Sequence, residues 1–179
     1  ALNVLGKAKE YQTKAAGFAN RLRGSIDGME SLVKGVDGVA INPARAALIN
    51  RSLGDGSIAN MALNSEEQQY MVHAKDALFA VLRPETGAAI TDSEMKQYSQ
   101  IYLPQPGDTE ATTKLKQNKL ENQFKSLRYK APRVYDATQA LDKIENSAVK
   151  DKNVNAAITQ DEYSALPAGS EYEIDGVKY

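Results

Sequence analysis

The chain of 179 residues has no cysteine and no tryptophan, and it has a single histidine, His73. Without cysteine there is neither a disulfide framework nor thiolate chemistry. A zinc site usually needs several histidine or cysteine ligands, so we expect no metal or cofactor and interpret His73 as a partly buried or surface residue. Aromatic residues make up only 7% of the chain. This scarcity favours a core of aliphatic side chains in thin helical layers.

Net charge and hydropathy argue against two further classes of protein. The formal net charge is −1 at pH 7, which removes the general electrostatic attraction expected of a dedicated DNA-binding protein. No apolar run approaches the roughly 18 residues that a membrane-spanning helix needs, so we predict no span in this segment. The sequence begins with Ala1 instead of methionine, and we expect it to be a piece of a longer protein.

Apolar residues recur at steps of three and four, and this spacing predicts an all-α fold with a small helical bundle in residues 1–147. Gly24 and Gly28 fall inside the first helix and predict a hinge or break there. Residues 65–83 carry a main apolar stripe and a smaller one with Val72 and Phe79, which predicts a central position. The predicted helices cover residues 2–33, 43–53, 65–83, 92–102, 109–130 and 133–147, with a further short piece at 58–63.

Capping residues set most of the predicted helix boundaries. Prolines supply the remaining boundaries: Pro84 is predicted to end the third long helix and Pro132 to interrupt the helix that begins near residue 109. Residues 103–108, with two prolines, are predicted to form a stiff extended connector. The predicted N-caps are Asn42, Asn64 with Glu67, Thr91 with Glu94, and Asp108.

Residues 148–158 have little periodicity and are interpreted as a linker. The C-terminal tail, residues 159–179, is predicted to hold a single helical turn followed by a β-hairpin around Asp175-Gly176. Because an isolated hairpin is only marginally stable, we expect the tail to dock on another surface through Tyr163, Leu166 and Tyr172.

Two further features are candidate contact surfaces. The chain has nine tyrosines against three phenylalanines, a skew that suits half-buried interfaces, and Tyr98 and Tyr102 are interface candidates. The stretch 114–133 is the one locally basic run, and Lys119, Arg128 and Lys130 are its candidate contacts for a nucleic acid backbone or an acidic lipid. A solvated helix face is the alternative interpretation of this run.

The stretch "VLRPETGAAIT" raises the question of catalysis by Glu85. It superficially resembles the catalytic segment of lytic transglycosylases, in which a lone glutamate acts as a general acid in glycan cleavage. Those enzymes follow the glutamate with a Gly-Leu-Met-Gln type segment that this chain lacks, and Thr86 replaces their usual serine. We therefore predict that this corner is architectural, with Pro84 stopping the helix and Gly87 supplying the turn at positive φ.

A longer stretch, "LRPETGAAITDSEMKQYSQIYLPQPGD", is similar to a recurrent block of large bacteriophage virion proteins. In that block an Arg-Glu-Ser/Thr segment precedes Gly-Ala-Ala-Ile, an acidic helix, an aromatic residue and Pro-Gln-Pro-Gly-Asp, and a basic helix rich in glutamine and asparagine follows. The resemblance covers residues 81–128 well. The closing "TQDEYSALPAGSEYEIDGVKY" more loosely resembles a short terminal module of phage proteins, and Pro84 departs from the lysine usual in the block.

The family resembled is the ejection proteins of tailed phages, also called internal virion or DNA-transfer proteins. The resemblance implies storage in the virion, exit through the tail and formation of a homo-oligomeric conduit for DNA across the host cell envelope and periplasm, with portal, tail or other ejection proteins as partners. No catalytic residue carries over to this segment. Two alternatives stay open: a peptidoglycan-cleaving domain that uses Glu85, and a static portal or tail connector that never leaves the particle.

Overall fold

A computed structural model of the chain describes residues 1–35, 40–55, 62–86, 89–156, 173–174 and 177–178, with the backbone alone for residues 85–86, 148–156 and the last two pairs. The described part is all-α except for those two pairs of residues. The helices are α1 (Leu2–Gly6), α2 (Glu10–Lys34), α3 (Pro43–Arg51), α4 (Ser65–Thr86), α5 (Asp92–Tyr102), α6 (Glu110–Lys130) and α7 (Pro132–Ala156).

Helices α2 and α4 form the centre of the bundle. Helix α2 packs against α4, α6 and α7, while α4 packs against α2, α3 and α5. The predicted central position of 65–83 is therefore shared with α2. The predicted second stripe on α4 is wrong for Val72, which is 65% exposed, because its side of the helix faces solvent. Phe79 does pack against the core.

The first predicted helix is interrupted, but at Lys7–Lys9 and not at its internal glycines. Lys9 has extended backbone dihedrals, and its N–H donates to Oε1 of Gln12 at 3.0 Å, so α2 starts afresh after it. Gly24 and Gly28 both lie within continuous helix, and the predicted hinge is wrong. Gly28 has a packing reason, since a Cβ atom placed on it would lie 2.5 Å from the imidazole of His73.

The predicted caps of α3, α4 and α5 are confirmed. Asn42 Oδ1 accepts a hydrogen bond from the N–H of Ala44 at 2.8 Å. The capping boxes of α4 and α5 are reciprocal, each cap side chain accepting from the glutamate N–H while the glutamate accepts from the cap N–H. These boxes consist of Asn64 with Glu67 and of Thr91 with Glu94.

Of the two helix boundaries predicted at prolines, one is wrong and one is confirmed. The prediction that Pro84 ends its helix is wrong, because α4 continues to Thr86. Pro84 lies in the last turn, where its missing N–H removes only the bond to the carbonyl of Ala80. Pro132 is the first residue of α7 and separates it from α6, as predicted. The predicted apolar stripe of α6 is buried; it consists of Leu120, Phe124, Leu127 and Ala131.

Helix α7 continues through most of the predicted linker 148–158 to Ala156. Neither proline nor glycine follows Pro132 within it, so nothing in this stretch stops the helix. Further on, β1 (Glu173–Ile174) pairs antiparallel with β2 (Val177–Lys178). Three predicted features fall on or extend into residues outside the described ranges: the turn between these strands, the helical turn after Thr159 and the short piece at 58–63. The docking role of the tail stays a prediction.

No helix among the described residues is both long and apolar enough to cross a membrane.

The two internal glycines of α2 allow a matched test of core packing. We expect Gly24→Ala to stabilise the chain by about 0.5–1 kcal/mol, because Gly24 faces open space and alanine is the better helix former. The same change at Gly28 should not give this gain and should destabilise the chain, because the new methyl group collides with His73. The free energy of unfolding from urea titrations measures both effects.

The double variant Gly28→Ala with His73→Ala supplies the control. It should lose less stability than the sum of the two single changes, since the collision is gone. Equal stabilisation by Gly24→Ala and Gly28→Ala would contradict the close contact between α2 and His73.

Candidate functional site

The connector between α5 and α6 is held in one conformation by its own polar groups. Leu103 is extended and almost fully buried, and its N–H donates to the carbonyl of Ser99 at 2.9 Å. The side-chain amide of Gln105 donates to the Ser99 carbonyl at 3.1 Å. Asp108 Oδ2 accepts the N–H of Gln105 at 2.8 Å, and Gly107 between them has φ 87°. The Pro-Gln-Pro-Gly-Asp motif is therefore a closed turn and not the predicted extended spacer.

Asp108 also anchors this turn to α6. Its Oδ2 accepts a hydrogen bond from Nζ of Lys116 at 2.5 Å, and the two side chains are only 16% and 11% exposed, respectively. The prediction that Asp108 caps α6 is wrong, because the side chain of Thr109 accepts the N–H of Thr112 in that role. Burial raises the pKa of Asp108, but the hydrogen bonds from Lys116 and from the Gln105 N–H outweigh it and hold the pKa below the usual value.

A buried asparagine joins the same turn to the rest of the bundle. Asn50 on α3 is fully buried, and its Nδ2 donates to the carbonyl of Pro104 at 2.9 Å and to the hydroxyl of Tyr70 at 3.2 Å. Asn50 is not among the residues predicted from the sequence. An amide within the apolar run "AALIN" is the signal that was available, because a buried polar side chain needs partners.

These contacts form one wall of an open cleft of about 420 Å³. On the other side the loop after α3 turns at Gly54, whose φ is 93°, and a Cβ atom there would lie 2.6 Å from the carbonyl oxygen of Asp92. Asp55 follows and pairs with Lys96 at 2.8 Å. The cleft is lined by Arg51, Asp55, Lys96, Gln100, Gln105, Pro106, Asp108 and Lys116. Three cations and two carboxylates thus converge from four segments of the chain.

Of the residues predicted to form an interface, the structure describes the side chains of Tyr98 and Tyr102 only. Tyr98 and Tyr102 stack with ring centroids 6.1 Å apart, both pack against the core, and the Tyr102 hydroxyl accepts from Nε2 of Gln123 at 3.1 Å. They stabilise the corner between α5 and α6 and offer little free surface. Tyr129 on α6 is 76% exposed. The candidates Tyr163, Leu166 and Tyr172 lie outside the described residues.

The basic run on α6 is smaller than its sequence suggests. Lys116 is buried in its pair with Asp108, and Arg128 pairs with Asp136 at 3.1 Å while its guanidinium lies 5.3 Å from the ring centre of Tyr135. Lys119 and Lys130 are exposed. Arg128 is still 45% exposed in this pair, so the predicted basic face is accessible at Lys119, Arg128 and Lys130.

Glu85 lies in the last turn of α4, and its side chain is outside the described residues, as is the whole of Gly87. The catalytic role of Glu85 and the turn at Gly87 both stay predictions, whereas Pro84 does not stop the helix. Among the residues that the structure describes, no group of three or more histidine, cysteine or acidic residues is arranged to hold a metal ion.

The chain matches no protein-family model, no curated protein and no solved structure at a significant level.

The pair between Asp108 and Lys116 predicts a specific pH dependence. Because folding lowers the pKa of Asp108, its contribution to stability is complete above the unfolded carboxyl pKa of about 4 and is lost as the pH falls through the lowered folded value. Asp108→Asn should therefore cost about 1–2 kcal/mol at pH 7, less than for a fully enclosed pair because both side chains keep some solvent contact.

The free energies of unfolding of the two chains, measured by urea titration, should draw together as the pH falls below the unfolded carboxyl pKa of about 4. Asp142→Asn removes an exposed carboxylate and serves as the control, with an expected change near zero. A constant difference between wild type and Asp108→Asn from pH 7 to pH 3 would contradict an electrostatic origin.

Nucleic acid binding through α6, if present, should be weak and strongly dependent on salt, because the whole chain is slightly acidic. Reversing Lys119 and Lys130 to glutamate should abolish it. Lys7 and Lys143 are exposed lysines elsewhere on the bundle, and reversing them changes the net charge equally. Fluorescence anisotropy with a labelled duplex at two salt concentrations separates the cases. Tight binding at high salt, or equal losses in both double variants, would refute a contact localised to α6.

Proposed function

We propose that this chain is a non-enzymatic helical module of a tailed-phage ejection protein, and that it acts by homo-oligomerising into part of a conduit for DNA. The observation that carries the proposal is the structural role of residues 81–128, the stretch that resembles phage ejection proteins. Their most specific motif fixes the angle between α5 and α6 through Gln105, Asp108 and Lys116. A module whose most specific residues fix helix geometry suits a structural role.

The surface supports assembly with other copies. Large apolar side chains are exposed on several different helices, so the bundle has more than one face that could gain from burial. Contacts between different faces of successive copies generate rings or tubes. The exposed set with at least half of the residue surface accessible is Leu2, Tyr11, Leu48, Val72, Leu115, Tyr129 and Ile144.

The proposal extends to the C-terminal tail, residues 159–179, as a docking element on an adjacent subunit or another virion protein. Most of the predicted linker 148–158 that leads to it is the end of helix α7. In this proposal the tail binds through Tyr163, Leu166 and Tyr172. In the same proposal the protein is stored in the virion before infection and enters the host cell envelope during DNA delivery, with portal, tail or other ejection proteins as further partners.

Deleting residues 159–179 tests the assembly part. The far-UV circular dichroism of the remaining chain should retain the helical signal of the bundle, while light scattering after size exclusion should show weaker association than for the full chain. Unfolding of the truncated chain would instead make the tail part of the monomer core. Undiminished association would make the tail dispensable and contradict its docking role.

A protein inventory of the particle before and after DNA release tests the ejection part. Loss of this chain from emptied particles supports ejection, and full retention would favour the static connector. Glu85→Gln addresses the enzyme alternative in the same material: DNA delivery and any glycan cleavage should be unchanged. A large loss of muralytic activity with an unchanged fold would support the peptidoglycan-cleaving alternative.

A further inference from the structure

The cleft between α3, α5 and the connector has an unbalanced set of charges. Lys96 pairs with Asp55, and Lys116 pairs with Asp108, so both carboxylates of the cleft already have a cationic partner. Arg51 is the remaining cation. Among the described residues no carboxylate pairs with it, and the neighbouring stretch 56–61, which lies outside them, contains no acidic residue.

The two existing pairs differ in how firmly they are held. Lys116 and Asp108 are largely buried, and Asp108 also accepts a hydrogen bond from a backbone N–H, so this pair is a fixed part of the cleft lining. Lys96 and Asp55 are about half exposed, at 50% and 48%, and such exposed pairs contribute little energy. Lys96 can therefore share its charge with a ligand at low cost, whereas Lys116 is committed to the fold.

We propose that the cleft binds a single carboxylate group, held by the guanidinium of Arg51 with Lys96 and the side-chain amide of Gln100 as further donors. Arginine and a carboxylate form two parallel N–H···O bonds in a plane, and this geometry makes their pairing stronger than that of neutral groups. The local excess of one positive charge matches a monoanion.

The carboxylates of the cleft argue against a polyanion. Asp55 and Asp108 line the same opening as Arg51. Successive phosphates of a nucleic acid would meet these negative charges, and like charges disfavour binding. An isolated carboxylate avoids this repulsion. Its source is either a free small acid or an acidic side chain of another protein, and the assignment does not depend on the assembly proposed above.

Titrations of the full chain at pH 7 and constant ionic strength test the assignment. The three probes are sodium acetate, a blocked alanine peptide with one central glutamate, and dimethyl phosphate as a monoanionic phosphodiester. The readout is the ¹⁵N–¹H shift of the Arg51 side-chain Nε–H together with the backbone amides of Lys96 and Gln100. We expect saturable shifts with acetate or with the peptide.

Variants localise the binding. Arg51→Gln should weaken it at least tenfold, and Arg51→Lys should restore only part of it, because lysine keeps the charge but loses the planar fork. Arg133→Gln removes an exposed arginine outside the cleft and should leave binding unchanged. Thermal unfolding of each variant separates binding from any contribution of Arg51 to the C-terminal turn of α3.

The outcomes are distinct. Equal affinity for acetate and peptide identifies a small acid as a sufficient ligand, and peptide binding at least tenfold tighter identifies a protein source; both support the carboxylate site. No saturable shift with any probe, unchanged binding in a folded Arg51→Gln variant, or dimethyl phosphate binding as tightly as the carboxylates would overturn it.

Discussion

The close approach of α2 and α4 is the constraint on which the rest of the structure depends. Both helices bury alanines, and Ala19, Ala74 and Ala77 are fully inaccessible to solvent. Small side chains let the two helix backbones pack closely. Because they fill little volume, the apolar layer between α2 and α4 is thin. Larger side chains that are also fully buried, such as Leu22 and Leu78, complete the core. The remaining helices are arranged around this pair, with α3 and α5 on α4 and with α6 and α7 on α2.

Polar contacts complement this apolar packing by fixing the register between helices. Arg21 and Ser25 on α2 both bind the carboxylate of Asp76 on α4. Asn20 binds Thr138 at 2.7 Å and accepts from Gln139 at 3.0 Å, joining α2 to α7. A smooth alanine surface permits several alignments of similar energy, whereas partly buried hydrogen bonds are satisfied in one alignment only. We infer that these pairs select the observed arrangement and add little net stability.

Apolar packing and polar contacts have the same separate roles at the corner between α5 and α6, which forms part of the cleft. Leu103 is buried and anchors the connector, while Asn50 and Asp108 hold the turn in place through hydrogen bonds. Most of the charge in this region is already neutralised within the chain. Among the cations that line the cleft, Arg51 is the one without a carboxylate partner in the described part of the chain. Assembly through apolar side chains and recognition of a single anion are both compatible with such a surface.

The sequence alone determined the all-α class and most helix boundaries, because these depend on local chemistry. Periodic apolar residues identify a buried helix face, and a cap such as Asn64 with Glu67 is satisfied within a few residues of the chain. The start of α7 at Pro132 follows from the same local rule.

Partners distant in sequence were decided by the tertiary structure alone. Gly28 predicted a break, but it lies within continuous helix, where an added Cβ atom would meet the imidazole of His73 on another helix. Asp108 predicted a cap, yet its strongest partner is Lys116, and Thr109 takes the capping position. Lys116 belonged to a basic run, yet it is committed to a largely buried ion pair with Asp108 whose geometry no periodicity reveals. The physical reason is that the partner of a charge depends on which helices meet, and that is settled only when the core packs.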